Sequence, residues 1–462
     1  MQQPDKFKAY AALVCEQLRW KRARPVVERE IETHLRDQYD ALVKDGLPEE
    51  QAVEESIRQM GDAVEIGADL DRVHRPKPSW GLLILTGILL LAGLGIHIFL
   101  TYDINFPYML RRHVLAAIVG VGCLAGAYFM DFTILRKRPL LFFIGAVVLV
   151  GCVTVFDPQM VNFRSYTAAQ LTLLLPLAYT ALLYWLRGKG YLGLVLAIGG
   201  LAVQCVCCCI IPFSAGLLIT AVTGVVLLAV AVWENWFQIG KGRGLFIWGI
   251  LVLLAAVAGS LFIWSSSYAA SRVELAFHPE LDPEGKGFLG MVIRETLAGA
   301  QLLGEGVLGA YAASMQLNHT DFLLTYLICR IGWISFIVIM AAFVVFFAAA
   351  ARKCLKQKNM LGRLASLAVI LTLALQVLLY VCFNLGICLF GSISLPLISY
   401  GNTPLVVNMA LIGVMLSTFR TGALVRDGAT LLPGRVGRSR WKDRFRWSNG
   451  ELTISFKKHI VS

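Results

Sequence analysis

Ten apolar stretches, each about 20 residues long, constrain the fold of this chain more than any other feature. A helix of about 20 apolar residues crosses the hydrocarbon core of a bilayer, where its backbone polar groups are paired within the helix. The stretches lie at 80–101, 113–135, 139–156, 168–186, 190–211, 213–233, 244–264, 322–350, 364–388 and 399–419. Only 16% of the residues are charged, against about 25% in soluble domains. The sequence therefore predicts an all-α, polytopic membrane protein with ten transmembrane helices.

Basic residues are unevenly distributed among the connections between these spans. If the N-terminus is cytoplasmic, the inner connections contain 12 Lys and Arg residues and the short outer ones contain three. Cytoplasmic loops of membrane proteins carry this excess of positive charge. Both termini are therefore expected in the cytoplasm, with the long connection 265–321 on the outside.

Composition divides the chain into three predicted domains. Residues 1–78 form a polar helical domain, in which Gly46 ends one helix and Pro48 begins the next. It resembles the short cytoplasmic prefix domains that precede some bacterial permeases and sensors, and the alternative is a helical spacer. Residues 79–420 contain the spans. Residues 421–462 form a basic tail with interleaved aromatic residues, which we expect to lie on anionic membrane lipid rather than on nucleic acid.

The 11 cysteines do not indicate a metal or redox site. Most of them lie within apolar stretches, where a free cysteine packs as a small hydrophobic residue. The cluster 205–209 has no nearby histidine or second cysteine pair that would complete a metal site. We therefore predict no bound structural metal.

The long connection 265–321 is the first candidate for chemistry. Loops longer than about 12–15 residues are usually functional or disordered, and this one ends in Gln316-Leu317-Asn318-His319-Thr320-Asp321 immediately before an apolar span. An Asp at the start of a helix often caps it. From the residues alone, Asp321 is equally consistent with a cap and with a functional carboxylate.

A second unusual stretch, residues 395–405, precedes the last span. It reads Leu-Pro-Leu-Ile-Ser-Tyr-Gly-Asn-Thr-Pro-Leu, in which Pro, Gly and Asn indicate a turn or a broken helix start. Ser399 is a candidate helix cap. Non-helical backbone at membrane depth occurs only where protein buries it or where it lines a polar cavity, so this stretch is either a helix connection or part of a site.

These two stretches resemble signatures of the shape, elongation, division and sporulation (SEDS) family, which includes FtsW, RodA and SpoVE. Residues 395–401 resemble the family's Pro-Phe-Ile-Ser-Tyr-Gly-Gly-Ser motif, and residues 320–322 match its Thr-Asp-Phe. Residues 384–386, Asn-Leu-Gly, resemble its Asn-Ile-Gly. The resemblance covers about residues 80–420.

The resemblance implies a peptidoglycan glycosyltransferase that polymerises lipid II outside the membrane, in complex with a class B penicillin-binding protein. It implies that Asp321 is the catalytic base. The substrate-binding residues it implies are Arg164, Gln316, His319, Thr320, Ser399, Tyr400 and Gly401. The leaving pyrophosphate needs a cation, either an arginine or a divalent ion such as Mg²⁺ or Mn²⁺.

The chain departs from the family pattern at several positions. Residues 162–170 retain only Arg164 of the expected motifs, and Cys329-Arg330 stands where the family has paired glutamates. An arginine within a span is a functional candidate by default, and its helical position relative to Asp321 argues against their pairing. The alternative functions are a non-catalytic regulator with the same fold and a lipid flippase or transporter.

Overall fold

The computed structural model describes residues 3–307 and 321–422, except 22, 75, 77, 105–106, 131, 133, 158–159, 162–163, 212 and 358, and also 445–448 and 451–454. The helices within these residues are α1 Gln3–Glu16, α2 Arg24–Lys44, α3 Glu49–Met60, α4 Ala63–His74, α5 Trp80–Ile104, α6 Pro107–Phe129, α7 Ile134–Lys137, α8 Pro139–Phe156, α9 Tyr166–Leu171, α10 Leu175–Trp185, α11 Gly190–Ile210, α12 Ser214–Trp233, α13 Lys241–Ser265, α14 Ser267–Phe277, α15 Phe288–Ala298, α16 Leu323–Ile331, α17 Trp333–Leu355, α18 Met360–Asn384 and α19 Asn402–Thr421.

The predicted all-α fold is confirmed. Ten helical segments in the described part of the chain are long and apolar enough to cross a membrane, and the protein is a multi-pass membrane protein. The strands are short and form two antiparallel hairpins, β1 Met160–Val161 with β2 Arg164–Ser165, and β3 Phe445–Ser448 with β4 Glu451–Ile454. Residues 1–425 form one compact unit and residues 426–462 another. The basic tail thus contains a hairpin, which its composition did not predict.

Helices α1–α4 pack around their own apolar core. Leu18, Val27 and Leu35 are buried there, at positions that recur with helical spacing. Gly46 and Gly61 follow α2 and α3 with positive φ angles of 94° and 96°, and glycine adopts this conformation at helix ends at little cost. The helix boundary predicted at Gly46 agrees with the structure.

The membrane bundle depends on close helix contacts at glycine. A Cβ atom added to Gly413 of α19 would lie 2.6 Å from the carbonyl oxygen of Leu124 in α6. A Cβ added to Gly93 of α5 would lie 2.5 Å from the carbonyl oxygen of Leu397. Small residues allow membrane helices to approach closely. These contacts place α5, α6 and α19 around the connection 385–401.

Candidate functional site

The eighth predicted span, 322–350, is wrong at its start. Gly332, with φ of 106°, separates the short helix α16 from the spanning helix α17. The residues of 322–350 are mostly apolar, with Arg330 as the one charged side chain, so the mean hydropathy of the stretch does not reveal this break. Asp321 therefore lies just before a separate nine-residue helix rather than at the start of the transmembrane helix itself.

Residues 299–307, which we name the strap, hold this break in place. The strap exchanges backbone hydrogen bonds with residues on both sides of Gly332. The bonds run from Gly304 N–H to the Ile331 carbonyl (2.9 Å), from Gly306 N–H to Cys329 (2.7 Å), from Trp333 N–H to Gln301 (3.0 Å) and from Ile334 N–H to Leu302 (3.2 Å). The connection between α15 and α16 is thus attached to the helix that carries Asp321.

Gly332→Ala is expected to destabilise the protein by about 1–3 kcal/mol. The added Cβ would lie 2.5 Å from the Leu302 carbonyl oxygen, in a backbone conformation that disfavours side chains. Gly259→Ala in α13 is the matched control, because nothing lies within 4 Å of the added atom. Thermal unfolding in detergent compares the two, and an equal melting temperature would contradict the role assigned to Gly332.

Asn384, at the end of α18, fixes the start of α16. Its Nδ2 group donates to the backbone carbonyl of Asp321 (3.0 Å), and its Oδ1 atom accepts from the Thr325 N–H (3.1 Å). The Thr325 hydroxyl donates to the Asn384 carbonyl at 2.9 Å. Both side chains are fully buried, and the Phe322 and Phe383 rings stack beside them with centroids 5.4 Å apart. A fully paired buried network specifies one geometry, so the position of Asp321 is defined by α18.

Asp321 itself is partly exposed and does not occupy the helix cap. The residue at the N-cap position of α16 is Phe322. The carboxylate of Asp321 acts electrostatically on the buried hydroxyl of Tyr380, one turn before Asn384. Of the two interpretations left open by the residues, the structure therefore disfavours the cap.

Arg330 pairs with Glu305 of the strap. It lies in the last turn of α16, and its side chain is 30% exposed. The sequence-based placement of this arginine within a span is wrong, because α16 ends at Ile331 and is not part of the spanning helix. The expectation that it does not pair directly with Asp321 is consistent with its observed partner, and the ion pair adds to the attachment of the strap.

Reversing the charge of Arg330 is expected to weaken the attachment of the strap slightly. Exposed ion pairs contribute about 0.2–1 kcal/mol, so Arg330→Glu should lower the melting temperature by at most a few degrees. Adding Glu305→Arg should restore much of this loss. If the loss of stability in the double variant equals the sum of the losses in the two single variants, the ion pair makes no net contribution.

Three other carboxylates of the long connection are engaged elsewhere. Glu305 pairs with Arg330, and Asp282 accepts from the Lys286 N–H at 2.9 Å. Glu280 accepts from His278 at 3.0 Å, and its pKa is lowered by a hydrogen bond from its own backbone N–H and by His278. A carboxylate with a lowered pKa is a weaker base.

The connection 385–401 forms an ordered turn next to this network. Gln376 of α18 donates to the Ser394 carbonyl (2.9 Å), and Ser399 donates to the Leu395 carbonyl (3.2 Å). The predicted capping role of Ser399 is therefore wrong, since Gly401 occupies the N-cap position of α19. Leu397 has a φ of 64°, which costs energy for a residue with a side chain.

The structure locates the predicted site residues only in part. Gln316, His319 and Thr320 lie outside the described residues, and so does the side chain of Arg164, whose backbone is in β2. Asp321 and the turn Ser399–Gly401 lie at the same end of the bundle. Asp321 contacts Asn384 at the end of α18, and the turn belongs to the connection that follows α18. Sequence reasoning did not assign a site role to Asn384, Thr325 or Tyr380. A buried polar residue in an apolar span is the signal that could have identified them.

The sequence of this chain is similar to that of known membrane proteins. Residues 78–422 match the model of the FtsW/RodA/SpoVE family, described as cell cycle protein. The chain is 26% identical over 171 residues to the peptidoglycan glycosyltransferase MrdB of Escherichia coli, a match to 36% of this chain and 46% of that protein. It is 24% identical over 336 residues to the probable peptidoglycan glycosyltransferase FtsW of a Geobacter species, a match to 67% of this chain and 86% of that protein.

A solved structure shows the same fold. It is a chain from a study titled "Structural coordination of polymerization and crosslinking by a peptidoglycan synthase complex". The TM-score is 0.58 at 20% identity, over 74% of this chain and 98% of the other. The chain spans about half the length of the Escherichia coli relative that it matches. Because the family model covers most of the chain, this protein belongs to the FtsW/RodA/SpoVE (SEDS) family.

Proposed function

We propose that this protein is a peptidoglycan glycosyltransferase that polymerises lipid II at the outer face of the bacterial cytoplasmic membrane. The observation that carries the proposal is the fixed position of Asp321. A buried network on α18 holds its backbone at the start of α16, while its side chain stays partly exposed. Relatives with the same fold are named as peptidoglycan glycosyltransferases.

The reaction needs a base at this position. The 4-hydroxyl of the acceptor sugar is a weak nucleophile, and Asp321 takes its proton as the oxygen attacks the anomeric carbon of the donor sugar. The bond between that carbon and the pyrophosphate oxygen breaks, and the polyprenyl pyrophosphate leaves with the bonding electrons. A positioned base contributes about 10²–10⁴-fold to such a step.

A cation is expected to stabilise the leaving pyrophosphate. Among the described residues, no three His, Cys, Asp or Glu side chains are close enough to hold a metal ion. Mg²⁺ usually binds to one or two carboxylates and completes its coordination with substrate phosphates and water. A Mg²⁺ ion bound by the pyrophosphate and water would lower the charge of the leaving group, while Asp321 accepts the proton. Arg164 is the alternative source of positive charge.

Charge distribution supports the proposed topology and partner. Residues 1–80 have a net charge of −3, and the rest of the chain has a net charge of +15. The excess of basic residues in alternate connections supports a topology with both termini in the cytoplasm and Asp321 outside. A class B penicillin-binding protein at the outer face would crosslink the strands made here, and the cytoplasmic helices α1–α4 would receive a regulatory signal.

The proposal is tested by polymerisation of purified lipid II. The full-length protein is reconstituted with candidate class B penicillin-binding proteins, whose own transpeptidase is blocked, and glycan strands are separated on a gel. Strands from the wild-type protein and none from Asp321→Ala support the proposal. Equal amounts of strands from both proteins exclude Asp321 as the base. The absence of strands with every partner tested favours the non-catalytic regulator.

A further inference from the structure

Two buried histidines lie beneath the turn Ser399–Gly401. His97 of α5 and His113 of α6 stack in parallel, with ring centroids 3.9 Å apart and planes 7° apart. Their exposed fractions are 2% and 0%. The Tyr400 ring lies next to His97, with centroids 6.1 Å apart. The turn therefore rests on an aromatic stack that contains two imidazole rings.

The imidazole nitrogens are poorly paired for such a buried site. His97 Nδ1 lies 2.8 Å from the Gly93 carbonyl oxygen. Because a carbonyl only accepts, Nδ1 carries the proton and Nε2 is left as an acceptor. Among the described residues, His97 Nε2 and both nitrogens of His113 have no hydrogen-bond partner. An unpaired buried polar atom is costly, and it requires an explanation in a native structure.

The neighbouring turn is held in a strained backbone conformation. Leu397 is held at a positive φ of 64°, and Gly401 is at 155°. Gly93, one helical turn before His97, allows the Leu397 carbonyl to contact the α5 backbone. Strained backbone at a functional site persists only when its surroundings hold it in place. The strained backbone of the turn lies on one side of the contact between Tyr400 and His97, and the unpaired histidine nitrogens lie on the other side.

We propose that the His97–His113 stack positions Tyr400 for substrate binding. When the turn shifts to bind the polyprenyl pyrophosphate substrate, the Tyr400 hydroxyl donates to His97 Nε2, and His113 keeps the His97 ring oriented by stacking. The two histidines are positioning residues and do not touch the substrate. The substrate class rests on the proposed function, whereas the Tyr400–His97 hydrogen bond does not.

A double-mutant cycle on substrate affinity tests the hydrogen bond. Binding of fluorescent lipid II to the full-length protein in nanodiscs is measured for Tyr400→Phe, His97→Phe and the double variant. Each single variant should weaken binding about 5–10-fold, as expected for a hydrogen bond worth about 1 kcal/mol. The double variant should be no weaker than either single one. His97→Gln, which keeps an acceptor near the Nε2 position, should bind nearly as tightly as the wild type.

Stability provides a second readout that distinguishes positioning from packing. His113→Phe deletes two unpaired buried nitrogens and keeps an aromatic ring, so it should raise the melting temperature by roughly 2–4 °C. Tyr179→Phe is the control, because the Tyr179 hydroxyl is buried and donates to the Ala197 carbonyl at 3.0 Å. It should lower the melting temperature and leave affinity unchanged.

The outcomes separate the two proposals. Additive losses from Tyr400→Phe and His97→Phe, or unchanged affinity in both, overturn the positioning role. A lower melting temperature for His113→Phe also overturns it, because the nitrogens would then be structural. If the wild type binds lipid II but makes no strands, the proposed catalytic function fails while the affinity cycle still decides the inference. If His97→Phe does not fold, Tyr400→Phe and His97→Gln decide the outcome.

Discussion

Asp321→Asn is expected to lower the rate of lipid II polymerisation by about 10²–10⁴-fold, the contribution of a positioned general base. Asparagine has nearly the same shape as aspartate but cannot take up the proton of the acceptor hydroxyl. The contact that places residue 321 uses its backbone carbonyl, so it survives the change. We therefore expect the melting temperature and the affinity for lipid II to stay close to those of the wild type.

Glu284→Gln is the matched control for this substitution. Glu284 is an exposed carboxylate in the same long connection, and its neutralisation should leave the polymerisation rate within about twofold. The measurement is the initial rate of strand formation at saturating lipid II with the same partner protein. A rate for Asp321→Asn within tenfold of the wild type would show that another group accepts the proton.

Asn384→Leu is expected to destabilise the protein by about 3 kcal/mol and to lower activity as well. The change removes the donor to the Asp321 carbonyl, the acceptor for the Thr325 N–H and the donor to the Tyr380 carbonyl at 3.1 Å. The Thr325 N–H is buried, so it remains unpaired after the substitution. The start of α16 then loses its attachment to α18, and Asp321 is no longer held in one place.

Asn408→Leu is a direct control for this prediction. Asn408 of α19 is also buried, but neither of its amide atoms has a hydrogen-bond partner among the described residues. The same change there should leave stability unchanged or raise it, because replacing an unpaired polar group by an apolar one removes a desolvation cost. Thermal unfolding in one detergent compares the variants, and equal losses at both positions would show that the Asn384 network has no special weight.

The sequence is sufficient to predict the spans but not the geometry of the site. Hydropathy identifies a span by its composition, and the mostly apolar residues after Phe322 do not mark the break at Gly332. That break depends on hydrogen bonds from the strap, which joins α15 to the chain before Asp321. The contact of Asn384 with Asp321 joins residues 63 positions apart. Such contacts between distant residues arise from tertiary packing, and local sequence patterns do not predict them.

Sequence motifs single out a candidate carboxylate, whereas the contacts that hold it in place are not visible in the sequence. The Thr-Asp-Phe and Ser-Tyr-Gly motifs lead directly to Asp321 and Tyr400. The two histidines of the His97–His113 stack are 16 positions apart, one in α5 and one in α6, and only the contact of these helices brings the rings together. The capping role predicted for Ser399 failed because α19 begins three residues later, at Asn402.

The break at Gly332 has a consequence for the response of this protein to bilayer thickness. A spanning helix adapts to a thinner or thicker membrane by tilting. Helix α17 lies at the periphery of the bundle, since only 22% of its most apolar segment is buried. Helix α18 lies in the core, with 67% buried, and it is α18 that holds the start of α16. The strap is hydrogen-bonded on both sides of Gly332, so tilting of α17 acts on the strap, whereas the chain at Asp321 stays attached to α18 through Asn384. We therefore expect the position of Asp321 to follow the core of the bundle when acyl chain length changes.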